Sequence, residues 1–376
     1  MQEAPYLSLL PTECTDLEDL NTNDRYFRIS LTINIVSKHF YQLYRHGDRT
    51  PISSFPKNTV RENTWPRGYG QLTKTGTQQA YQLGQWLKDR YKKFLSPSYK
   101  PKEIYIRSTD YDRTLMSAEA VLAGLFPPSA KEHWNPDIHW QPIPVHTVPK
   151  SEEKLLKYPN FRCPSFNGLL QQVIQEMKTK NELKKYMALI QKFAYNLGYD
   201  IKKLLDFPNM LLWKAYDTLK VQEIHKRFLP RWADKKTMEQ MKFLLEYLVN
   251  ATLGGELKNE KSKLQGGILV KHILEKIINA TKYRDGYKMI MYSAHDMTII
   301  ALQTALGVYN QLLPPYAATH IFELYKEDKG GYTIEMYYRN STAVEPHLLT
   351  LPGCTKACPL NKFQHLVTPI LPTKEC

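Results

Sequence analysis

The sequence predicts an α/β protein, with a central sheet containing parallel strands, helices on its flanks and an inserted all-helical segment. Three observations carry that reading. A β-rich run at 29–44, a helical run, a short strand at 103–109 and a second helix follow one another, and strand–helix–strand–helix order is the signature of a sheet with parallel members. From about 165 to 280 the chain turns Lys/Leu-rich and helical with no convincing strand. The β signal then returns at 287–295 and 320–339.

Each element has a local reason. "ISLTINIVSKHFYQLY" (29–44) is rich in β-branched and aromatic residues, though His39 and Gln42 interrupt it with polar side chains. A loop holding Pro51, Pro56, Pro66, Gly68 and Gly70 follows. Thr75 with Gln78 fits a capping box, and Ala80, Leu83, Leu87, Tyr91 and Phe94 recur at helical spacing. "EIYIRST" (103–109) reads as a strand, and "DRTLMSAEAVLAGLF" from Asp112 reads as a helix stopped by Pro127 and Pro128. Recurring prolines up to Pro149 indicate an extended crossing. "YKMIMYSAH" (287–295) is an apolar strand, a helix spans Asp296 to Leu306, and 320–339 form a hairpin about a Gly-containing turn. The expected division is an N-terminal extension at 1–32, an α/β domain at 33–150 and 281–376, and a helical cap domain at 151–280.

Composition narrows the function classes. Hydrophobic content of 42% and charged content of 23% over 376 residues belong to a globular protein, not a disordered or fibrous one. The net charge of +14 is dispersed in short clusters such as "KDRYKK" and "KNEKSK". It forms no continuous stripe with interleaved aromatics, so no nucleic-acid partner is expected, while anionic substrates are favoured. No stretch approaches the roughly 20 apolar residues of a membrane span, so no transmembrane segment is expected. The first residues show neither the basic nor the apolar region of a signal peptide. Cys354 and Cys358 share a Pro/Gly-bounded loop, a poor zinc site but a good small disulfide. With sequons at Asn250, Asn279 and Asn340, they point to a glycoprotein in an oxidising compartment.

The chemistry concentrates at strand ends. In "YRHGDRTP", Arg45 and Arg49 offer planar, permanently charged forks suited to phosphate oxygens. His46 between them is a nitrogen nucleophile whose pKa the guanidinium groups depress. Gly47 is expected to let the backbone approach a ligand. Arg107, at the end of the next strand, converges on the same rim, whereas Arg113 inside the helix start is assigned a structural or ion-pairing role. His295 and Asp296 follow a third strand and could supply a hydrogen-bond donor and a general acid, a pair of metal ligands, or a helix cap at Asp296. Alone, "RHG" would read as a solvated basic turn. Together, these residues match phosphoryl transfer, with a clamp of donors, a nucleophile and a proton source.

The segments "LYRHGDRTPI", "WPRGYGQLTKTG", "YIRSTDYDRTLMSA", "LQGGILV", "MYSAHDMT", "LLPPYAATHIFELY" and "LPGC" resemble the histidine acid phosphatases of the histidine phosphatase superfamily, in their vertebrate prostatic and lysosomal form. The resemblance runs over roughly residues 40 to 376. It implies a mixed, mainly parallel sheet flanked by helices with an inserted helical cap. The implied activity is an acid phosphatase hydrolysing phosphate monoesters through a covalent phosphohistidine, with no cofactor and no metal. By the same resemblance His46 is the nucleophile, Arg45, Arg49, Arg107 and His295 hold the phosphate, and Asp296 protonates the leaving alcohol. Trp213 would line the substrate mouth or serve the helical core. Cys354 would pair with Cys358 and Cys163 with Cys376, leaving Cys14 single. A homodimer in the lysosomal lumen or outside the cell is implied as well. Met297 and Gly307 depart from the family pattern without removing a catalytic group. The competing readings are a metal-dependent phosphohydrolase with His295 and Asp296 as ligands, and a catalytically weak binding protein on the same fold.

Overall fold

The strand that leads into "RHGD" buries both of its faces. In the computed structural model, β1 (Val36–Arg45) sends Phe40 and Tyr44 to one side of the sheet and Tyr41 and Leu43 to the other, all buried. The structure describes residues 36–373 apart from 158–162, 181, 205–209, 256 and 284–285. The expected extension at 1–32, Cys14 and Cys376 therefore lie outside the described residues.

Six further strands join β1: β2 (Ile104–Ser108), β3 (Met289–Ala294), β4 (Thr319–Lys326), β5 (Tyr332–Arg339), β6 (His347–Leu349) and β7 (Cys358–Pro359). The sheet runs β2-β3-β1-β4-β5-β6, with β7 also on β5. β2, β3 and β1 are mutually parallel, and β4 to β7 add antiparallel. The sheet is thus mixed, with its parallel members at the end that carries the chemistry.

Eleven helices complete the described residues: α1 (Lys74–Tyr91), α2 (Asp112–Leu125), α3 (Pro164–Thr179), α4 (Met187–Leu197), α5 (Ile201–Leu204), α6 (Leu211–Ile224), α7 (Lys235–Leu253), α8 (Lys258–Lys263), α9 (Gly266–Lys282), α10 (Asp296–Leu306) and α11 (Leu360–Val367). Leu83 and Leu87 of α1 and Val121 of α2 pack on Phe40, Tyr44 and Met291. Ile273 of α9, Leu302 of α10 and Phe363 of α11 pack on Tyr41, Leu43 and Phe322 across the sheet. Helices α3 to α7 close a separate core around Phe193, Leu219 and Met241, into which the loop after β1 inserts Phe55.

Two details differ from the expectations. Helix α1 is capped by Thr73, whose side chain accepts the Gly76 N–H, and not by a Thr75–Gln78 box. Thr73 N–H in turn donates to Asp48 C=O, so the loop after β1 decides where the helix begins. Helix α9 falls in the expected cap range, yet its stripe of Leu269, Ile273 and Ile277 joins the core of the sheet. Its opposite face carries Lys271, Glu275 and Lys282, so composition alone could not separate it from the cap helices. The Cys354–Cys358 disulfide is present with a Cα–Cα distance of 5.6 Å. Cys163 is also disulfide-bonded, while its expected partner Cys376 lies outside the described residues.

The two polar residues of β1 fare differently. His39 Nδ1 bonds Tyr287 C=O at 2.8 Å. Gln42 is wholly buried, its Nε2 reaches only the Met289 sulfur at 3.7 Å, and its Oε1 meets no donor among the described residues. An unanswered buried amide costs more than an apolar side chain of similar size. Gln42→Leu is therefore expected to raise the unfolding free energy by about 1 kcal/mol, read as a higher urea midpoint at unchanged slope; a lower midpoint would show that Gln42 is well satisfied.

Candidate active site

The residues after β1 are clamped on both sides. His46 N–H donates to Ala294 C=O at 3.1 Å at the end of β3, and His46 C=O accepts from Ala317 N–H at 3.2 Å. A Cβ on Gly47 would lie 2.1 Å from Gly76 O, and one on Gly76 would lie 2.0 Å from Asp48 O. The expectation that Gly47 makes room for a ligand is corrected here, because the atoms crowding it are the backbone of α1. Asp48 fastens the same loop: its N–H donates to Gln79 Oε1 at 2.8 Å, and its carboxylate receives Thr73 Oγ1 and His225 Nε2, the latter at 2.7 Å.

This clamping orients His46. Its ring is 2% exposed, and Nδ1 lies 2.8 Å from Gly47 C=O. A carbonyl only accepts, so Nδ1 carries the proton and Nε2 keeps its lone pair in the neutral ring. Burial first, and then Arg113, Arg45 and Arg49, hold the His46 pKa well below the ordinary 6.5.

The guanidinium groups are held by specific acceptors. Arg49 makes a two-pronged bond to Asp217 at 2.8 and 2.9 Å. Arg45 pairs with Asp296 Oδ2 at 2.9 Å, donates to Pro314 C=O at 2.7 Å and lies 4.1 Å over the Tyr316 ring. Arg113 is pushed down to about 10, first by burial and then by repulsion from Arg49, which leaves it charged. Arg45, Arg49 and Arg113 each enclose an Nε that meets no acceptor among the described residues.

Arg107 is the expected residue that the structure removes from this group. It points to the other face of β2, where Nη2 contacts both oxygens of buried Glu153 at 3.0 Å, and its charge is felt by His272 and Tyr292. Its Nε is also unmatched, but the Glu153 pair holds it on that side. Alternation along the strand is the cause: Ile104 and Ile106 face α1 and α2, which turns Tyr105 and Arg107 away. Arg113, six residues on, takes the place expected of Arg107.

His295 and Asp296 end β3 and begin α10. His295, not Asp296, holds the N-cap position, and its Nε2 lies 3.0 Å from Thr109 Oγ1. Its ring is 5.8 Å from the His46 ring, centre to centre. Burial, followed by Arg113 and Arg49, keeps the His295 pKa well below the usual histidine value. Asp296 accepts Met297 N–H with Oδ1 at 2.7 Å while Oδ2 holds Arg45. Met297 packs against the cluster of Cys163 and Ile300, and Gly307 caps the far end of α10 with a left-handed φ of 70°. Among the described residues, no three His, Cys, Asp or Glu side chains converge as a metal-ligand set.

The comparisons meet this geometry. A family model for the histidine phosphatase superfamily (branch 2) matches residues 38–339. The chain belongs to that superfamily. It is 47% identical over 330 residues to prostatic acid phosphatase of Bos taurus, covering 88% of this chain and 84% of the relative. It is 45% identical to human lysosomal acid phosphatase, covering 88% of this chain and 77% of the relative. The solved phytase of Citrobacter braakii superposes with a TM-score of 0.65 at 15% identity, over 89% of this chain and 98% of that one, which shows the shared fold.

In this histidine phosphatase a cleft of about 240 Å³ opens above Arg45 and Asp296, walled by Trp213, Tyr216, Pro314 and Tyr316. Trp213 borders the cleft and also packs on the helical core. Sequence reasoning missed Arg113, Asp217, Thr109 and Tyr316. Two signals were available. Arg113 puts a cation in the first turn of α2, against the helix dipole, which needs a reason beyond folding. Asp217 stands four residues after Trp213, on the same helix face.

The exchange of Arg107 for Arg113 is testable. Arg113→Gln should weaken competitive inhibition by inorganic phosphate about 10- to 100-fold, the range for losing a charge-assisted bond. Arg107→Gln should leave that inhibition constant within about twofold while lowering thermal stability, since it strips buried Glu153 of its cationic partner and leaves only the Leu155 and Leu156 N–H groups. The reverse pattern would restore Arg107 to the pocket.

Proposed function

We propose that the chain is an acid phosphatase that hydrolyses phosphate monoesters through a phosphohistidine on His46. The observation that carries this is the tautomer: Nδ1 is committed to Gly47 C=O, which leaves the Nε2 lone pair free beside three guanidinium groups. A phosphate monoester seated on Arg45, Arg49 and Arg113 brings phosphorus to Nε2. As the N–P bond forms, the bond to the ester oxygen breaks, and Asp296 gives its proton to the departing alkoxide. In the second half, Asp296 takes a proton from water as its oxygen attacks phosphorus, the N–P bond breaks and inorganic phosphate leaves. His295 lines the phosphate position, and Trp213 and Tyr316 receive the organic part. His295 and Asp296 are occupied by Thr109, Met297 N–H and Arg45, which favours this reading over a metal-dependent one. The lysosomal lumen or extracellular space suits a disulfide such as Cys354–Cys358.

His46→Ala should lower kcat for an aryl phosphate by at least about 1,000-fold and abolish acid-labile phosphate on the protein, seen by rapid quench and mass spectrometry; activity that survives would sink the mechanism. Excess chelator should leave wild-type kcat/KM unchanged, and its loss would favour the metal-dependent alternative.

The pH profile has a definite sign. The nucleophile is active when neutral, and a pKa held below 6.5 means this form disappears only as pH falls through that lowered value. kcat/KM is therefore expected to be at least as high at about pH 5 as at about pH 7; a decline centred near the ordinary histidine value would contradict it.

A further inference from the structure

Beside the phosphate position, Tyr111 collects an unusual amount of positive charge. Its ring has Arg113 at 4.7 Å, Lys150 at 4.6 Å and Lys157 at 5.2 Å from its centre. The ring meets His295 edge-on at 5.2 Å. Tyr111 links β2 to α2 at the N-cap position, where its side chain makes no capping bond. An aromatic face offsets each cation only in part.

The lysines at the cleft behave differently. Lys220 is paired with Glu223 at 2.6 Å and Lys242 with Glu246 at 3.7 Å. Lys150 and Lys157 have no ion-pair partner among the described residues, although Asp110 and Asp112 flank Tyr111 in the chain. Asp112 instead accepts from Gln71 Nε2 at 2.9 Å. Lys157 is close enough to count among the cations that hold His295 neutral. Arg113 thus serves two places at once, the phosphate pocket on one side and the Tyr111 cluster on the other.

Resting on the phosphohistidine reading above, we propose that Lys150 and Lys157, set one ring's width from His295 by Tyr111, form a second anion subsite that selects small monoesters carrying a second phosphate. The first phosphate reacts at His46 while the second is held by the two ammonium groups at the rim. Rim charges of this kind raise capture of a doubly charged substrate and are screened by salt.

The test compares fructose 6-phosphate, fructose 1,6-bisphosphate and 4-nitrophenyl phosphate on the full chain, with and without Lys150→Gln plus Lys157→Gln. Wild-type kcat/KM is expected to be about 10-fold higher for the bisphosphate than for the monophosphate at low ionic strength, narrowing as salt is added. The double variant should erase that gap through KM while changing kcat on 4-nitrophenyl phosphate by less than about twofold. Equal wild-type values, or a gap that survives in the double variant, would overturn the subsite. Failure of the catalytic reading is separable, because it shows as 4-nitrophenyl phosphate hydrolysis that is absent in the wild type or retained in His46→Ala. Calorimetric binding of fructose 1,6-bisphosphate in the His46→Ala background then judges the subsite alone. Binding about 10-fold weaker without the lysines supports it, and equal affinity refutes it.

Discussion

Three guanidinium groups gathered around one neutral imidazole are the constraint that organises the rest of this molecule. Enclosed charge of one sign is costly unless something answers it. Among the described residues, Asp217 answers Arg49 and Asp296 answers Arg45, while Arg113 and the unmatched Nε groups have no counterion of their own. A tetrahedral oxyanion has the charge and the paired oxygens that would answer such forks. Together with burial, the same field holds the pKa values of His46 and His295 well below the ordinary histidine value.

That concentration of charge needs several parts of the fold at once. The parallel strands β1, β2 and β3 deliver their carboxyl ends to one edge, the usual place for ligands in open α/β sheets. Helix α10 contributes Asp296 in its first turn, and α2 contributes Arg113. The counterion of Arg49 comes from the helical layer, on α6, and Thr218 beside it donates to Ser53 C=O in the loop after β1. Helix α6 therefore completes the electrostatics of the sheet edge.

Much of this was legible in the sequence. The largely apolar β3 and the β-rich run into "YRHGD" announced the central strands, and strand ends carrying Arg, His and Asp announced the pocket. The failures have physical causes. Arg107 and Arg113 share one short segment, and choosing between them requires knowing which face of β2 is turned to α1 and α2, a fact of packing and not of periodicity. Thr73 rather than Thr75 caps α1 because Asp48, a residue remote in the chain, binds its backbone. Helix α9 reads like a cap helix because amphipathic helices look alike whichever core they serve. Asp217 is a mid-helix acid whose partner lies 168 positions away.

The crossing of Gly47 with Gly76 bears on how such a protein diversifies. With backbone against backbone on one side and Ala294 and Ala317 on the other, the floor of the pocket has no free volume to rearrange. The walls are of another kind: Trp213 and Tyr216 are side chains on α6, and Tyr316, over whose ring Arg45 lies, is a side chain on the loop before β4. Under the proposed mechanism, other substrates would be accommodated by redrawing those walls and the lysine-bearing rim, one substitution at a time, with His46 held in place. Chemistry and most of the selectivity would then reside in separately mutable parts of the chain.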